Sequence, residues 1–566
     1  MSNAKSDAKE MFAKEELMLT TNLKKYNVLF VVTDQEHFFS QYPSGSNYQA
    51  RKFLAENGIT FEKHYACSNM STSSRSTMFT GKHIPDTGMI DNCDFPWQPV
   101  MSPDIRTIGD IMRSAGYYSA IKGKWHLGGT GDITGTQKQT VTNLEDYGFS
   151  DWGGKDYIGA LHQGNEIDPL IVKDAVEWLG NKGKNLNAEG KPFFLMVTMI
   201  NPHDIMDYDI TGYKAPNLHL GSAPNTDVYK TKYDVESPST ANFDLTNTDL
   251  PEGIRLYNHN WGIFAGSFGQ NDSGTNISGE HLNTVETLWK DYQNYYFNCI
   301  QDCDNNLMTL INSLKANNML ENTIIVFTSD HGEMHGSHGL KGKGGFVYEN
   351  NIHVPLIIVH PDHAGGKKID AITSHIDLAP TFADIGGTLS SEKLAGKSLL
   401  PLVVGDKTSV RDCALFCYEM PSMSVAINYD KNDKKSVTKS YVAGFMRILK
   451  KEKPEGVMDR GMIRGIITND GYKFVRYFAP YDFNTPTTSN DLFANNDVQL
   501  FNIKEDPEEL TNLADSAHRE ANIELIMRLN GIMNEMIKQE IVNENCEHVL
   551  KPLRAFCKSL QQAGRK

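Results

Sequence analysis

Val28-Leu-Phe-Val-Val-Thr33 is a short unbroken apolar run that gives way at once to Asp34-Gln35-Glu36-His37. A run of that length without alternation suits a strand buried on both faces of a parallel sheet. The figure recurs. Tyr117–Ile121 leads through Lys122 into Gly-Lys-Trp-His126, Pro192–Ile200 ends in Asn201-Pro202-His203-Asp204, and Thr323–Thr328 ends in Ser329-Asp330-His331-Gly332. Pro355–Val359 is a further strand. Helical spacings lie between: Ile108, Ile111, Met112 and Ala115, stopped by Gly116, then Leu307, Leu310, Ile311 and Leu314. Strand, polar tip and helix in alternation across residues 27–404 predict a doubly wound α/β domain with helices on both faces. Its chemistry is expected at the carboxyl ends of the strands.

Residues 205–290 break this rhythm. They are rich in Asn, Asp, Thr, Ser, Gly and Pro and read as a long insertion, either laid over the active-site edge or a plain surface excursion. After Gly405-Asp-Lys the alternation fades. Gly465–Thr468 and Lys473–Tyr477 flank Asn469-Asp470-Gly471, a hairpin turn signal, and Gln499–Ile503 adds a strand. Leu525, Leu529, Ile532 and Met536 line one face of a helix. Residues 405–566 therefore read as a small α+β subdomain, with Asn543–Lys566 given no structure, and residues 1–26 as an N-terminal extension.

Composition sharpens this mainly by exclusion. At 566 residues the chain exceeds one ordinary domain of ~150 residues, in keeping with a large domain and a smaller one. A formal charge of -15 argues against a nucleic-acid partner but not against an anionic small molecule, which a few convergent cations can hold. The eight cysteines include no CxxC pair, so a zinc ribbon or thioredoxin-like motif is not expected. No stretch approaches ~18 uninterrupted apolar residues, so no membrane partner is expected. The Lys- and Glu-rich start lacks the apolar core of a signal peptide, and the chain reads as cytoplasmic, or periplasmic or secreted if a leader has been removed.

The strand tips carry the candidate chemistry. Ser71-Thr-Ser-Ser-Arg75 runs on to Thr80-Gly81, and Gly123-Lys124-Trp-His126 follows a strand. Pro202-His203 ends another strand. Asp330-His331-Gly332-Glu333 precedes His338-Gly-Leu-Lys341-Gly-Lys343. Each is weak alone: a Ser-rich turn before a helix is commonly a cap, and a lone His is commonly a core residue. Together and in this order they resemble the sulfatase family of the alkaline phosphatase superfamily. The resemblance spans about residues 27–514 and includes Asp377-Leu-Ala-Pro-Thr381 and Leu500-Phe-Asn-Ile-Lys-Glu-Asp-Pro507. Ser73 departs from the usual Pro or Ala, and Asp34-Gln35 stands where the family often has Asp-Asp.

The resemblance implies an alkaline-phosphatase-like fold and hydrolysis of sulfate esters. Ser71 would be oxidised by a formylglycine-generating enzyme, and the hydrated aldehyde would supply the attacking hydroxyl. Arg75, Lys124 and Lys343 would stabilise the transferring group, His126 would help release sulfate, and His203 would protonate the leaving alcohol. Strand alternation is expected to aim Lys124 and His126 the same way, and a pKa near the natural histidine value is expected of His203. Lys341 reads as a solvated loop lysine. Asp34, Gln35, Asp330 and His331 would hold one divalent cation, calcium first and magnesium or manganese next. The implied substrate is an anionic sulfated small molecule or saccharide. Two alternatives stay open: a phosphonate monoester or phosphodiester hydrolase, and a non-catalytic sulfated-ligand binder if Ser71 stays unmodified.

Overall fold

A computed structural model describes residues 25–128, 141–159, 162–208, 229–241, 243–244, 247–255, 282–391, 393–424, 436–451, 460–482 and 484–563. Nearly all of the N-terminal extension and much of the 205–290 insertion lie outside these residues. The elements used below are, in the larger domain, β1 (Asn27–Asp34), α1 (Gln49–Asn57), β2 (Ile59–Tyr65), α2 (Ser71–Thr80), α3 (Ile108–Ser114), β3 (Tyr118–Gly123), α4 (Gln163–Trp178), β4 (Phe193–Pro202), α5 (Leu282–Ala316), β5 (Thr323–Ser329), β6 (Leu356–Val359), β7 (Lys367–Ser374) and α6 (Leu378–Ile385). The C-terminal part adds β8 (Cys413–Tyr418), α7 (Ser436–Lys450), β9 (Met462–Thr468), β10 (Tyr472–Phe478), β11 (Asp497–Asn502), α8 (Ile523–Glu540) and α9 (Glu547–Ala563).

Seven strands form one sheet in the order β3-β4-β1-β5-β6-β2-β7. β1 is central and buried throughout. Its side chains alternate between two cores: Val28, Phe30 and Val32 pack with Ile108, Ile111, Met112 and Phe382, whereas Leu29 and Val31 pack with Ile171, Val172, Leu307 and Leu310. That two-sided burial is why the β1 run is apolar without a polar face.

β6 departs from the expected parallel arrangement, running antiparallel to both β5 and β2. A parallel return needs a crossover element. Residues 330–355 hold only single helical turns, so the chain comes back antiparallel and leaves that segment across the functional edge of the sheet. α5 also begins at Leu282, inside the stretch expected to be irregular.

The C-terminal sheet is antiparallel, β11-β10-β9-β8. β9 and β10 pair as the turn signal predicts, with Gly471 at φ +91°. β8 was not foreseen in the sequence. α8 buries Ile526, Leu529, Met533, Met536 and Ile537, so its inward face is rotated from the expected stripe, and Leu525 and Ile532 are only partly buried. The unassigned terminal stretch is largely helix α9, which buries Val549, Leu550 and Leu553. Among the described residues no helix is long and apolar enough to cross a membrane.

Candidate active site

β1 and β5 pair in parallel with Thr33 opposite Ser329, so Asp34, the last residue of β1, and Asp330, the first beyond β5, stand side by side. Arg75 lies between their carboxylates, with Nε 2.9 Å from Asp330 Oδ2 and Nη2 3.0 Å from Asp34 Oδ2. Arg75 comes from α2, which starts at Ser71 and ends on Gly81. Gly81 adopts φ +65°, and a Cβ there would stand 2.8 Å from Ala379 Cβ, so both conformation and packing demand glycine. Ser73, the unusual residue of the motif, is buried and donates to Met89 O at 2.8 Å.

Ser71 opens α2, whose positive N-terminal end favours an anion. Its Oγ lies 3.0 Å from Lys343 Nζ, 3.0 Å from His331 Nε2 and 3.4 Å from Asp34 Oδ1. Lys124 Nζ reaches Asp34 Oδ2 at 2.7 Å. Seven expected site residues, Asp34, Ser71, Arg75, Lys124, Asp330, His331 and Lys343, thus form one buried cluster of direct contacts. Gln35 joins it through its backbone N–H, 3.1 Å from Asp330 Oδ1.

Burial would push the Asp34 carboxyl up, but Lys124, then Lys343, His203 and Arg75, hold it well below the ordinary range. Asp330 is pushed up to about 6 by burial and by Asp34, against the pull of Arg75 and the two lysines. Lys343 is drawn down to about 8 by burial.

The arrangement suits a cation. Single ligand atoms of Asp34, Asp330 and His331 all lie within 4.8 Å of one another. His331 Nδ1 bonds Gly332 O at 3.0 Å, which places the N–H there and leaves a lone pair on Nε2. Gln35 Oε1 is a buried carbonyl without a hydrogen-bond partner. Three oxygen-bearing side chains and one imidazole suit a hard divalent ion.

Three expectations are corrected. Lys124 and His126 both lie beyond the end of β3 at Gly123, and His126 takes φ +58°, so strand alternation does not aim them. Lys124 points to Asp34, while the His126 ring pairs with Asp94 at 3.2 Å. The Asp156 carboxylate holds this turn by accepting the backbone N–H groups of Trp125 and His126. His203 does not keep its natural pKa: burial and Lys343, with Lys124 beside them, drive it well down against the pull of Asp34. Lys341 is buried, not solvated, with Nζ 3.5 Å from Tyr208 O.

Reading by motif missed Asp94, Asp156 and Glu333. Glu333 stood inside the quoted Asp-His-Gly-Glu block, so a signal for it existed; Asp94 and Asp156 are brought in only by the tertiary fold.

A family model described as Sulfatase matches residues 26–388. The chain is 27% identical over 443 residues to N-acetylglucosamine-6-O-sulfatase of Bacteroides thetaiotaomicron, covering 69% of this chain and 73% of that protein. A solved structure described as in complex with its substrate D-glucosamine-2-N,6-O-disulfate aligns with a TM-score of 0.59 at 22% identity, over 91% of this chain and 98% of that one. The phosphonate monoester hydrolase of Agrobacterium radiobacter aligns with a TM-score of 0.59 at 18% identity, over 91% and 96%. These two structures share the fold.

Proposed function

The chain belongs to the sulfatase family and is a sulfuric ester hydrolase, and from that premise we propose that it removes sulfate from a sulfated saccharide, using a formylglycine made from Ser71 and one divalent cation held by Asp34, Gln35, Asp330 and His331. The observation that carries this reading is the setting of Ser71 Oγ, at a helix N-terminus and 3.0 Å from both Lys343 Nζ and His331 Nε2. The saccharide is supported by the likeness to the N-acetylglucosamine-6-O-sulfatase. Calcium is favoured by the oxygen donors, with magnesium and manganese next.

A formylglycine at position 71 would supply the attacking hydroxyl and, by collapse to the aldehyde, the release of sulfate, and a cation held by Asp34, Gln35, Asp330 and His331 would supply Lewis acidity. The chain's own residues do the remaining work. Arg75 fixes both carboxylates through separate nitrogens and so holds the pair converged. Lys343 and Lys124 set two positive charges in a water-poor site before substrate arrives, where they resist no reorganisation as charge builds on the sulfate oxygens. His203 feels both lysines; a sulfate monoester entering between them offsets their field and lets the imidazole hold a proton for the leaving alcohol. His126, paired with Asp94, takes a hydroxyl proton as sulfate departs.

A formylglycine-generating enzyme is the partner this reading requires. Mass spectrometry of the tryptic peptide carrying Ser71 tests it: active protein should lack two hydrogens relative to serine at that residue. Active protein with unmodified serine would overturn the formylglycine assignment. Matched kinetics address the phosphonate or phosphodiester reading, which the Asp34-Gln35 and Asp330-His331 pairs favour and Lys124 with His126 disfavours. Sulfate esters are expected to show the higher kcat/KM; a higher value for the phosphonate ester would replace the substrate class.

A further inference from the structure

Glu333 is fully buried beside the site and takes no part in the chemistry above. Its oxygens gather four donors. Gln35 Nε2 approaches Oε2 at 2.5 Å, while the Tyr292 hydroxyl, His335 N–H and Gly342 N–H approach Oε1 at 2.7, 3.1 and 2.6 Å. Two of these are backbone N–H groups and one is the amide NH2 of Gln35, which can only donate, so Glu333 serves as their acceptor. With its NH2 facing Glu333, the Gln35 amide turns its carbonyl Oε1 away from that carboxyl. That oxygen is buried with no hydrogen-bond partner, a costly condition unless an electropositive guest is meant to fill it.

The Gln35 backbone is held just as closely. It adopts φ +76°, its N–H points to Asp330, and its carbonyl accepts from the Tyr296 hydroxyl at 2.7 Å. Tyr292 and Tyr296 stand one turn apart on α5, so a single helix face grips Gln35 directly and through Glu333. Gly342, whose N–H Glu333 also takes, immediately precedes Lys343.

We propose that Glu333 is a positioning residue that turns the Gln35 amide into an oxygen ligand for the cation and ties that ligand to the Lys343 loop. The proposal rests on the cation site of the preceding section.

Calcium binding by the full-length protein, measured by isothermal titration calorimetry, tests it without reference to turnover. Glu333→Gln should weaken calcium binding about 10–100-fold, as loss of an outer partner of a metal ligand does. In a Gln35→Ala background the same change should have almost no further effect, because the ligand it acts through is gone. An undiminished loss in that background would mean that Glu333 acts by charge alone and would overturn the proposal, as would unchanged binding in the single variant. Asp34→Ala separates the two layers: if it too leaves calcium binding intact, the cation site itself is wrongly assigned. Should Glu333→Gln not fold, the exchanged pair Gln35→Glu with Glu333→Gln keeps one carboxylate facing one amide donor. It should bind calcium within a few-fold of wild type, and loss of binding by a folded exchanged pair would refute the positioning role.

Discussion

Gly159→Ala should impair protonation of the leaving group while sparing the cation site. A Cβ at Gly159 would stand 2.5 Å from His203 Nδ1, 2.6 Å from Cε1 and 2.9 Å from Cγ. The loop has little freedom to retreat: Lys124 Nζ donates to Ile158 O at 3.0 Å, and Asp156 accepts the Trp125 and His126 N–H groups. The imidazole must therefore move by roughly 1 Å to recover ordinary contact, and a misplacement of that size costs a catalytic group about 10²-fold. The φ of +88° adds a backbone penalty of about 1–2 kcal/mol for any residue with a Cβ, which lowers Tm without unfolding the chain. The assay is kcat/KM on a pair of sulfate esters, one with an alkyl and one with an aryl leaving group. Only the alkyl ester needs the proton in the transition state, so its rate should fall about 10²-fold while the aryl ester changes by a few-fold. His203→Ala should reproduce the selectivity. Equal losses on both esters, or an unchanged alkyl rate, would refute the acid role of His203.

Calcium should raise Tm by a shift corresponding to about 2.7 kcal/mol at a hundredfold excess over Kd; a chelator should reverse the shift and Asp330→Ala should abolish it. Lys343→Ala should lower kcat/KM for sulfate esters by about 10²–10³-fold, while calorimetry finds calcium binding unchanged or tighter, since a positive charge beside Asp34 is removed. Burial and Lys124 lower the His126 pKa and Asp94 raises it, so Asp94→Asn should move the acid limb of the kcat/KM profile to lower pH; an unmoved limb would separate Asp94 from the proton step. Burial pushes the Glu540 carboxyl up, but His83 and Arg411 hold it below the ordinary glutamate range. Its stabilising contribution is therefore complete above the unfolded glutamate pKa and lost as pH falls through and below that range. Glu540→Gln should lower Tm at neutral pH and flatten the acid limb of a Tm–pH curve.

The sequence by itself determined the layers and much of the cast. The β1 run is apolar on both faces because each face meets its own core, and a local pattern reports that directly. The turn Asn469-Asp470-Gly471 announced its hairpin because Gly471 needs a positive φ, a strictly local demand. Ser71, Arg75, Asp330 and Lys343 were legible through the resemblance to the sulfatase family, whose motifs are short segments that can be matched whole. The inward face of α8 and the helix α9 were less legible, since their stripes are set by the particular surface of the C-terminal sheet. What only the tertiary structure decided is which distant residues touch. The parallel register of β1 with β5 sets Asp34 beside Asp330, and no local periodicity encodes that pairing. The loop holding Asp94 meets His126, and α5 brings Tyr292 to Glu333, only after the sheet order is established. Hydrophobic pattern specifies which face of an element is buried. Sheet order and register specify its neighbours, and the orientation of Gln35, the pairing of His126 and the lowered pKa of His203 all arise from neighbours far away in the chain.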